Sequence, residues 1–328
     1  MKGKHLISIT SRRAEYRLEL ERKISVIKGN SGTGKSSVIR LISDYLELGK
    51  DSGIKLTISS SASVLVLTNS SDWEKILPSV GNTILFFDED VRYRYTEAFQ
   101  RELWTADCYA VIISRSGQFT GLPFAISSIY ELVTEKNGKS TITTMYRFYE
   151  EKKDKTDFDL VMTEDSNSGY EMAKFAFASD STEVVSAHGN ASVRSSLMKT
   201  AGNHKNICVN VDGAAFGSYI EPLLKFAELQ GNTMIAAPES FEFILLHLDA
   251  IRKYLSSDSG ELTRTYDYCD SKEYITWERY YESLLNQIAT EHFGFAYAKA
   301  KLNPYFLNGK CAEMFIEQIC KCFVKRRE

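Results

Sequence analysis

The stretch Gly29-Asn30-Ser31-Gly32-Thr33-Gly34-Lys35-Ser36 decides the reading of this chain. In a loop of this pattern the glycines let backbone N–H groups curl around a phosphate. The lysine reaches the outer phosphate oxygens, and the hydroxyl after it binds a magnesium ion. A glycine-rich turn can match the pattern by chance, so the flanks must decide. Upstream, Ile24-Ser25-Val26-Ile27 is an apolar strand running into the glycines. Downstream, Val38, Ile39, Leu41, Ile42, Tyr45 and Leu46 recur at helical spacing from Ser37 to Leu48, and Gly49 stands where a helix stops. Strand, loop and helix follow in the required order, which predicts a nucleotide-binding loop over Gly29–Ser37.

Before the loop, His5–Ile9 and Tyr16–Leu20 alternate apolar and polar residues as a hairpin does. After it, Ile54–Ser59 and Ser63–Thr68 read as strands, and Asp72–Leu77 as a short helix ending before Pro78. Thr83–Phe87 is a wholly apolar strand that runs into Asp88-Glu89-Asp90. A helix over Thr96–Trp104 then leads to the strand Tyr109–Ile113, ending at Ser114-Arg115. Strands alternating with helices imply a parallel sheet with its functional residues at the carboxyl ends of the strands. At those ends Asp88 is the candidate partner of Ser36 on Mg²⁺, and Glu89 the candidate that orients or deprotonates the attacking water. Arg115 is either a sensor of the γ-phosphate or a surface arginine. Strands Ile129–Thr134 and Ser140–Met145 flank Asn137-Gly138, a hairpin turn signal, and close a first domain over 1–149.

The charged stretch 150–157 reads as a linker. A second strand–helix alternation occupies 158–255: strands at Leu160–Met162, Glu183–Ser186, Ile207–Val211 and Thr233–Ala236, and helices at Tyr170–Ala178, Ser192–Met198, Tyr219–Leu229 and Phe241–Tyr254. Residues 256–328 read as a helical extension, with Tyr274–Thr290 and Lys310–Val324 as its best helices. In the second domain Glu164, Asp212 and Glu239 each follow a strand. Parallel strands would bring them to one edge, where carboxylates can share a metal ion; the competing reading is solvated strand ends and helix caps.

The hairpin, the loop and Ile84-Leu85-Phe86-Phe87-Asp88-Glu89 together resemble the compact ATPase domains of the ABC and SMC group. No Leu-Ser-Gly-Gly-type signature is present, so no residue here stands out as completing a neighbouring copy's site. Over 157–255, a Glu after the first strand and an Asp after the third resemble the Toprim fold. The order ATPase then Toprim is that of the overcoming-lysogenization-defect nucleases. Three positions depart from that pattern: Asn210-Val211-Asp212 replaces Asp-x-Asp, Asp165 stands where a small residue is expected, and Ser168 stands in place of an acid. The resemblance implies ATP and Mg²⁺ as ligands and an ATPase whose nucleotide state controls a Toprim-like nuclease in bacterial defence or a mobile element. The alternative is a nucleotide-dependent switch with a non-catalytic second module. A GTPase would need an Asn-Lys-x-Asp that the chain lacks.

The formal charge of −3 over 328 residues gives no global field for nucleic acid, so such a partner would be met by a local patch. Tyr266, Tyr268, Tyr274, Trp277, Tyr280 and Tyr281, with Arg264, Lys272 and Arg279 between them, read either as a stacking surface for a single strand or as a helical core. A second copy and a separate protein are further partner classes. The six cysteines lie far apart except for Cys320-x-Cys322, which has no His/Cys partner pair at zinc spacing; no signal peptide is legible, and no run of about 18 apolar residues could span a membrane. A reduced, cytoplasmic protein is the expectation.

Overall fold

The computed structural model describes every residue except 30–31, 116–118, 120, 155–156 and 328. It is a mixed α/β structure with one nine-stranded and one six-stranded sheet. The chain divides into two units: Met1–Phe148 with Arg264–Thr276, and Tyr149–Thr263 with the residues from Trp277 onward.

The first unit holds strands β1 (His5–Thr10), β2 (Ala14–Leu20), β3 (Ile24–Lys28), β4 (Lys55–Ile58), β5 (Ser63–Leu67), β6 (Thr83–Phe87), β7 (Cys108–Ser114), β8 (Ile129–Asn137) and β9 (Ser140–Arg147). Its helices are α1 (Lys35–Leu48), α2 (Trp73–Ser79) and α3 (Glu97–Thr105). The strand order is β4-β1-β2-β9-β8-β3-β7-β6-β5. Strands β3, β7, β6 and β5 run parallel, so their carboxyl ends share one edge. Every residue of β3, β6 and β7 is buried, which explains why they read as apolar runs: helices cover both faces. Ile84 and Phe86 join Val38, Ile39 and Ile42 of α1 in one core cluster. Phe87 turns to the other face, where Phe99 of α3 packs edge-on against it at 5.5 Å. In β1 and β2 burial alternates along the strand, as in a sheet with one wet face.

The second unit holds β10 (Tyr149–Lys152), β11 (Leu160–Thr163), β12 (Glu183–Ser186), β13 (Ile207–Asn210), β14 (Thr233–Ala236) and β15 (Phe323–Arg326) in the order β10-β15-β14-β13-β11-β12. Around them lie α4 (Ser168–Phe177), α5 (Asn190–Thr200), α6 (Ile220–Gln230), α7 (Phe241–Leu246), α8 (Asp249–Arg252) and α9 (Gly260–Thr263). Helix α10 (Thr265–Tyr268) belongs to the first unit, and α11 (Trp277–Phe293) and α12 (Gly309–Ile319) to the second. Strands β12, β11, β13 and β14 are parallel, while β15 is antiparallel to β14 and β10.

Several sequence expectations are corrected. The linker over 150–157 begins as strand β10, because Glu150 stands opposite Lys325 and the two pair at 2.7 Å. The last helix stops at Ile319, and Phe323–Arg326 is a strand with Phe323 buried. The 256–328 extension is not one body. Residues 264–276 are fastened to the first unit, with Gly3 N–H donating to the Tyr266 carbonyl at 2.6 Å and the buried Lys23 ammonium donating to the Ser271 carbonyl. The aromatic stripe is thereby divided, and Tyr281, 1% exposed, is core beside Phe243. Helix α2 runs through Pro78 to Ser79, the Val80 N–H closing its last turn on Ile76. The helix expected over 241–254 breaks after Leu246 into α7 and α8.

Candidate functional sites

The first site lies at the carboxyl edge of the parallel strands of the first unit. Gly34 caps α1 with φ 88°, a left-handed conformation that a side chain strains, and a Cβ there would stand 3.1 Å from the Tyr16 hydroxyl. The first turn of α1 carries no acidic residue, so its N–H groups and dipole are open to an anion. Lys35 is buried and folds back over the loop, donating to the Gly29 carbonyl at 2.6 Å and to Thr33 Oγ1 at 3.2 Å. Burial lowers its pKa, and the charges of Glu89, Arg115 and Asp88 all act on its ammonium. Gly32 also has positive φ, and Ser36 is exposed, with Ser37 half-buried behind it. Asn30 and Ser31 lie outside the described residues.

Strand β7 lies between β3 and β6, so its end, with Ser114 and Arg115, falls between the glycine loop and Asp88-Glu89. Arg115 grips Glu89 at two points, Nη2 to Oε1 at 2.8 Å and Nε to Oε2 at 3.0 Å. That hydrogen bonding holds the Glu89 carboxyl below its usual range. Asp88 Oδ1 accepts the Glu89 N–H at 2.7 Å.

Sequence reasoning missed Arg94. Its guanidinium, 2% exposed, donates to the carbonyls of Asp88 (2.6 Å), Glu89 (2.7 Å) and Ile113 (2.8 Å), and to the Tyr95 hydroxyl (3.0 Å). It ties the acidic strand end to β7. Gln100 in turn accepts this arrangement by donating to the Arg94 carbonyl at 3.1 Å. The available signal was an arginine enclosed by aromatics, Tyr93-Arg94-Tyr95, directly after the acidic motif.

In the second unit, β11 and β13 are neighbours with Thr163 opposite Asn210, and this register brings Glu164 to Asp212. Glu164 Oε2 accepts the Asp212 N–H at 3.0 Å. Gly213 allows the turn: a Cβ there would lie 2.8 Å from the carbonyls of Ala237 and Pro238. Glu239 is not among the residues lining the cavity that Glu164 and Asp212 share. The third acid is Glu242, fully buried in the first turn of α7, whose N-cap is Ser240. Tyr297 donates to Glu242 Oε1 at 2.8 Å and stands 3.0 Å from Ser168 Oγ. Glu278 of α11 is a fourth carboxyl, bonded to the Lys299 ammonium, which also lies 3.7 Å from Asp212.

Burial first, and the neighbouring carboxyls next, raise the proton affinity of these acids: Glu164 is pushed up to about 8, and Asp212 and Glu242 rise as well. Some solvent remains, since 21% of the Asp212 side chain is exposed. Burial opposes the charge on Lys299, but Asp212, Glu278 and Glu242 outweigh it and lift its pKa. Among the described residues no set of three or more His, Cys, Asp and Glu is arranged to hold a metal ion, Cys320 and Cys322 included. His188 is exposed and does not line the cavity. The signal for Glu242 was a lone acid within Phe241-Glu242-Phe243-Ile244-Leu245-Leu246; Glu278 and Lys299 are distant in sequence and gave none.

Among the described residues no helix is long and apolar enough to cross a membrane. Comparison with protein-family models and with curated protein sequences finds no match.

Proposed function

We propose that the chain binds ATP with Mg²⁺ at the glycine loop, hydrolyses it, and uses the nucleotide state to control a Toprim-like second unit that acts on nucleic acid. The setting the sequence resemblance suggests is bacterial defence or a mobile element. One observation carries the ATPase half. A buried Lys35, an acid-free helix N-terminus, Asp88-Glu89 and Arg115 meet at one edge of the first sheet, and their charges act on one another.

The cradle fits a polyphosphate, because its glycine geometry excludes side chains and its ammonium is already turned inward. Ser36 and Asp88 would hold Mg²⁺, which neutralises phosphate charge when bound. Lys35 exchanges its carbonyl and hydroxyl partners for phosphate oxygens. Arg115 has 70% of its side chain exposed and can turn from Glu89 to the γ-phosphate. Glu89, released and kept ionised, accepts a proton from the attacking water. Turnover of ATP with Mg²⁺ that disappears in Lys35→Ala and Glu89→Gln is the expected result; turnover that survives both refutes this half.

For the second unit, the meeting of Glu164 and Asp212 supports a nuclease. Cleavage of DNA or RNA that is unchanged in Glu164→Ala plus Asp212→Ala would exclude it. Asn210 favours the alternative, a non-catalytic binding module, since it supplies an amide where a second strand-end carboxylate would ligate a metal.

A further inference from the structure

Carboxyls of Glu164, Asp212 and Glu242 line one pocket together with Lys299, whose ammonium pairs with Asp212 and with a fourth carboxyl, Glu278. Glu164 and Asp212 follow β11 and β13, and Glu242 and Glu278 lie on α7 and α11, so the fold has gathered them from four separate places in the chain. Fully ionised, they would leave an excess of three negative charges, which a half-buried site does not sustain. Two oxygens of residues that line this pocket are enclosed with no hydrogen-bond partner among the described residues: Oε2 of Glu242, a residue with no exposed surface, and Oδ1 of Asn210. The cavity they share measures about 20 Å³. That admits one water-sized guest but not an ion that keeps its own waters.

Lys299 is held in place from several sides. Its carbonyl accepts the Ser168 N–H at 3.0 Å, its ammonium meets Glu278 and Asp212, and Tyr297, two residues earlier, is anchored on Asn286 Oδ1 at 2.9 Å. An ammonium bracketed by carboxylates occupies the same electrostatic position as a metal ion, with a single charge and a shorter reach.

We propose that Lys299 is the resident counter-cation of this acidic pocket, and that a divalent ion must displace it from Asp212 and Glu278 in order to bind. Lys299 then sets the pocket's cation selectivity, and the carboxyls alone do not. This deepens the reading of the pocket as a cation site, and it is independent of whether nucleic acid is cleaved.

The test uses the full chain without nucleotide and Mn²⁺ as probe, with bound ion measured from loss of the free-ion electron paramagnetic resonance signal. Lys299→Met should take up one Mn²⁺ with an affinity at least tenfold above the unaltered protein, and adding Asp212→Asn should abolish that gain. Lys299→Arg keeps the charge and should bind no better than the unaltered protein. Equal Mn²⁺ affinity with lysine and with methionine overturns the proposal. So does a gain in the arginine variant, which would make side-chain shape, not charge, the cause. Thermal unfolding guards against a folding defect: Lys299→Met should melt lower, from uncompensated carboxylates, and be restored by Mn²⁺. A variant whose midpoint Mn²⁺ does not raise also overturns it. Gain of Mn²⁺ without any cleavage leaves the inference standing and removes the nuclease reading.

Discussion

Replacing Arg94 by methionine tests whether the acidic strand end is held by a buried cation. The guanidinium serves the carbonyls of Asp88, Glu89 and Ile113, and methionine serves none. An unsatisfied buried acceptor costs about 1–3 kcal/mol. Ile113 lies deep and bears the full penalty, whereas the two carbonyls at the strand end are half-buried and recover part of theirs from water. Relief from holding a cation out of water offsets some of the loss. The net destabilisation should be about 2–4 kcal/mol. For a unit of this size each kcal/mol moves the midpoint by about 2–4 °C, so thermal unfolding should fall by about 4–16 °C. Catalysis should suffer separately, because Asp88 and Glu89 lose the anchor of their own backbone; displacement by about 1 Å costs about 10²-fold in turnover. Arg94→Lys has three donors but no planar fork and should recover part of both losses. The assays are calorimetric unfolding and steady-state ATP turnover with saturating Mg²⁺. If Arg94→Met melts within about 2 °C of the unaltered protein and keeps its turnover, the clamp has no function.

Gly34→Ala should reduce nucleotide affinity by at least about tenfold, since its Cβ both strains φ 88° and crowds Tyr16 at 3.1 Å; unchanged ATP binding by calorimetry would contradict that. Arg115→Ala removes the group that depresses the Glu89 pKa in the nucleotide-free chain, so the acid limb of the kcat/KM–pH profile should move to higher pH, and an unmoved limb would show that Glu89 is not the titrating base. The Glu164 carboxyl, raised from 4.5 to about 8 by burial, gives a pH-dependent stability. Below pH 4.5 both folded and unfolded chains keep the proton; between there and about 8 only the fold does, so stability falls as pH rises, by at most about 1.4 kcal/mol per pH unit. Glu164→Gln should flatten that slope in denaturant titrations, and a slope equal to that of the unaltered protein would place the titration elsewhere.

The first site was largely legible because its chemistry is contiguous. A strand, three glycines, Lys35 and Ser36 lie within thirteen residues, and the second strand end announces itself as four apolar residues before Asp88. Arg94 was missed because a buried arginine has no periodicity: only the aromatic neighbours that enclose it mark it. In the second site the strand ends Glu164 and Asp212 were readable from the alternation of elements. Glu239 was chosen over Glu242 because strand-end logic ranks the first acid after a strand. The Ser240 cap instead starts α7 and places Glu242 in its first turn, buried in the cavity. Glu278 and Lys299 reach the pocket through long-range packing, which no local pattern encodes. The same limit hid β15, whose partner β10 lies more than 170 residues away and is chosen by cross-strand charge.

Both sites place strand-end carboxyls opposite a cation, and the difference between them lies in how readily the cation can leave. Arg115 is mostly in water, where the attraction to Glu89 is screened, so a bound polyphosphate has little to outcompete. Lys299 has 27% of its side chain exposed and sits among four carboxyls in a poorer dielectric, where the same attraction is several times stronger. An incoming divalent ion must also shed water to enter a cavity of about 20 Å³. The first pairing is therefore suited to exchange in every cycle of the proposed ATPase, and the second to hold its state until something moves α11 or the segment carrying Lys299. If the proposed nucleotide control reaches the second unit, Lys299 is where it has most to act on. Mn²⁺ uptake by the unaltered chain should then rise when the non-hydrolysable analogue of ATP is bound and return to its resting level when the analogue is removed. Uptake that is indifferent to the analogue would separate the two sites.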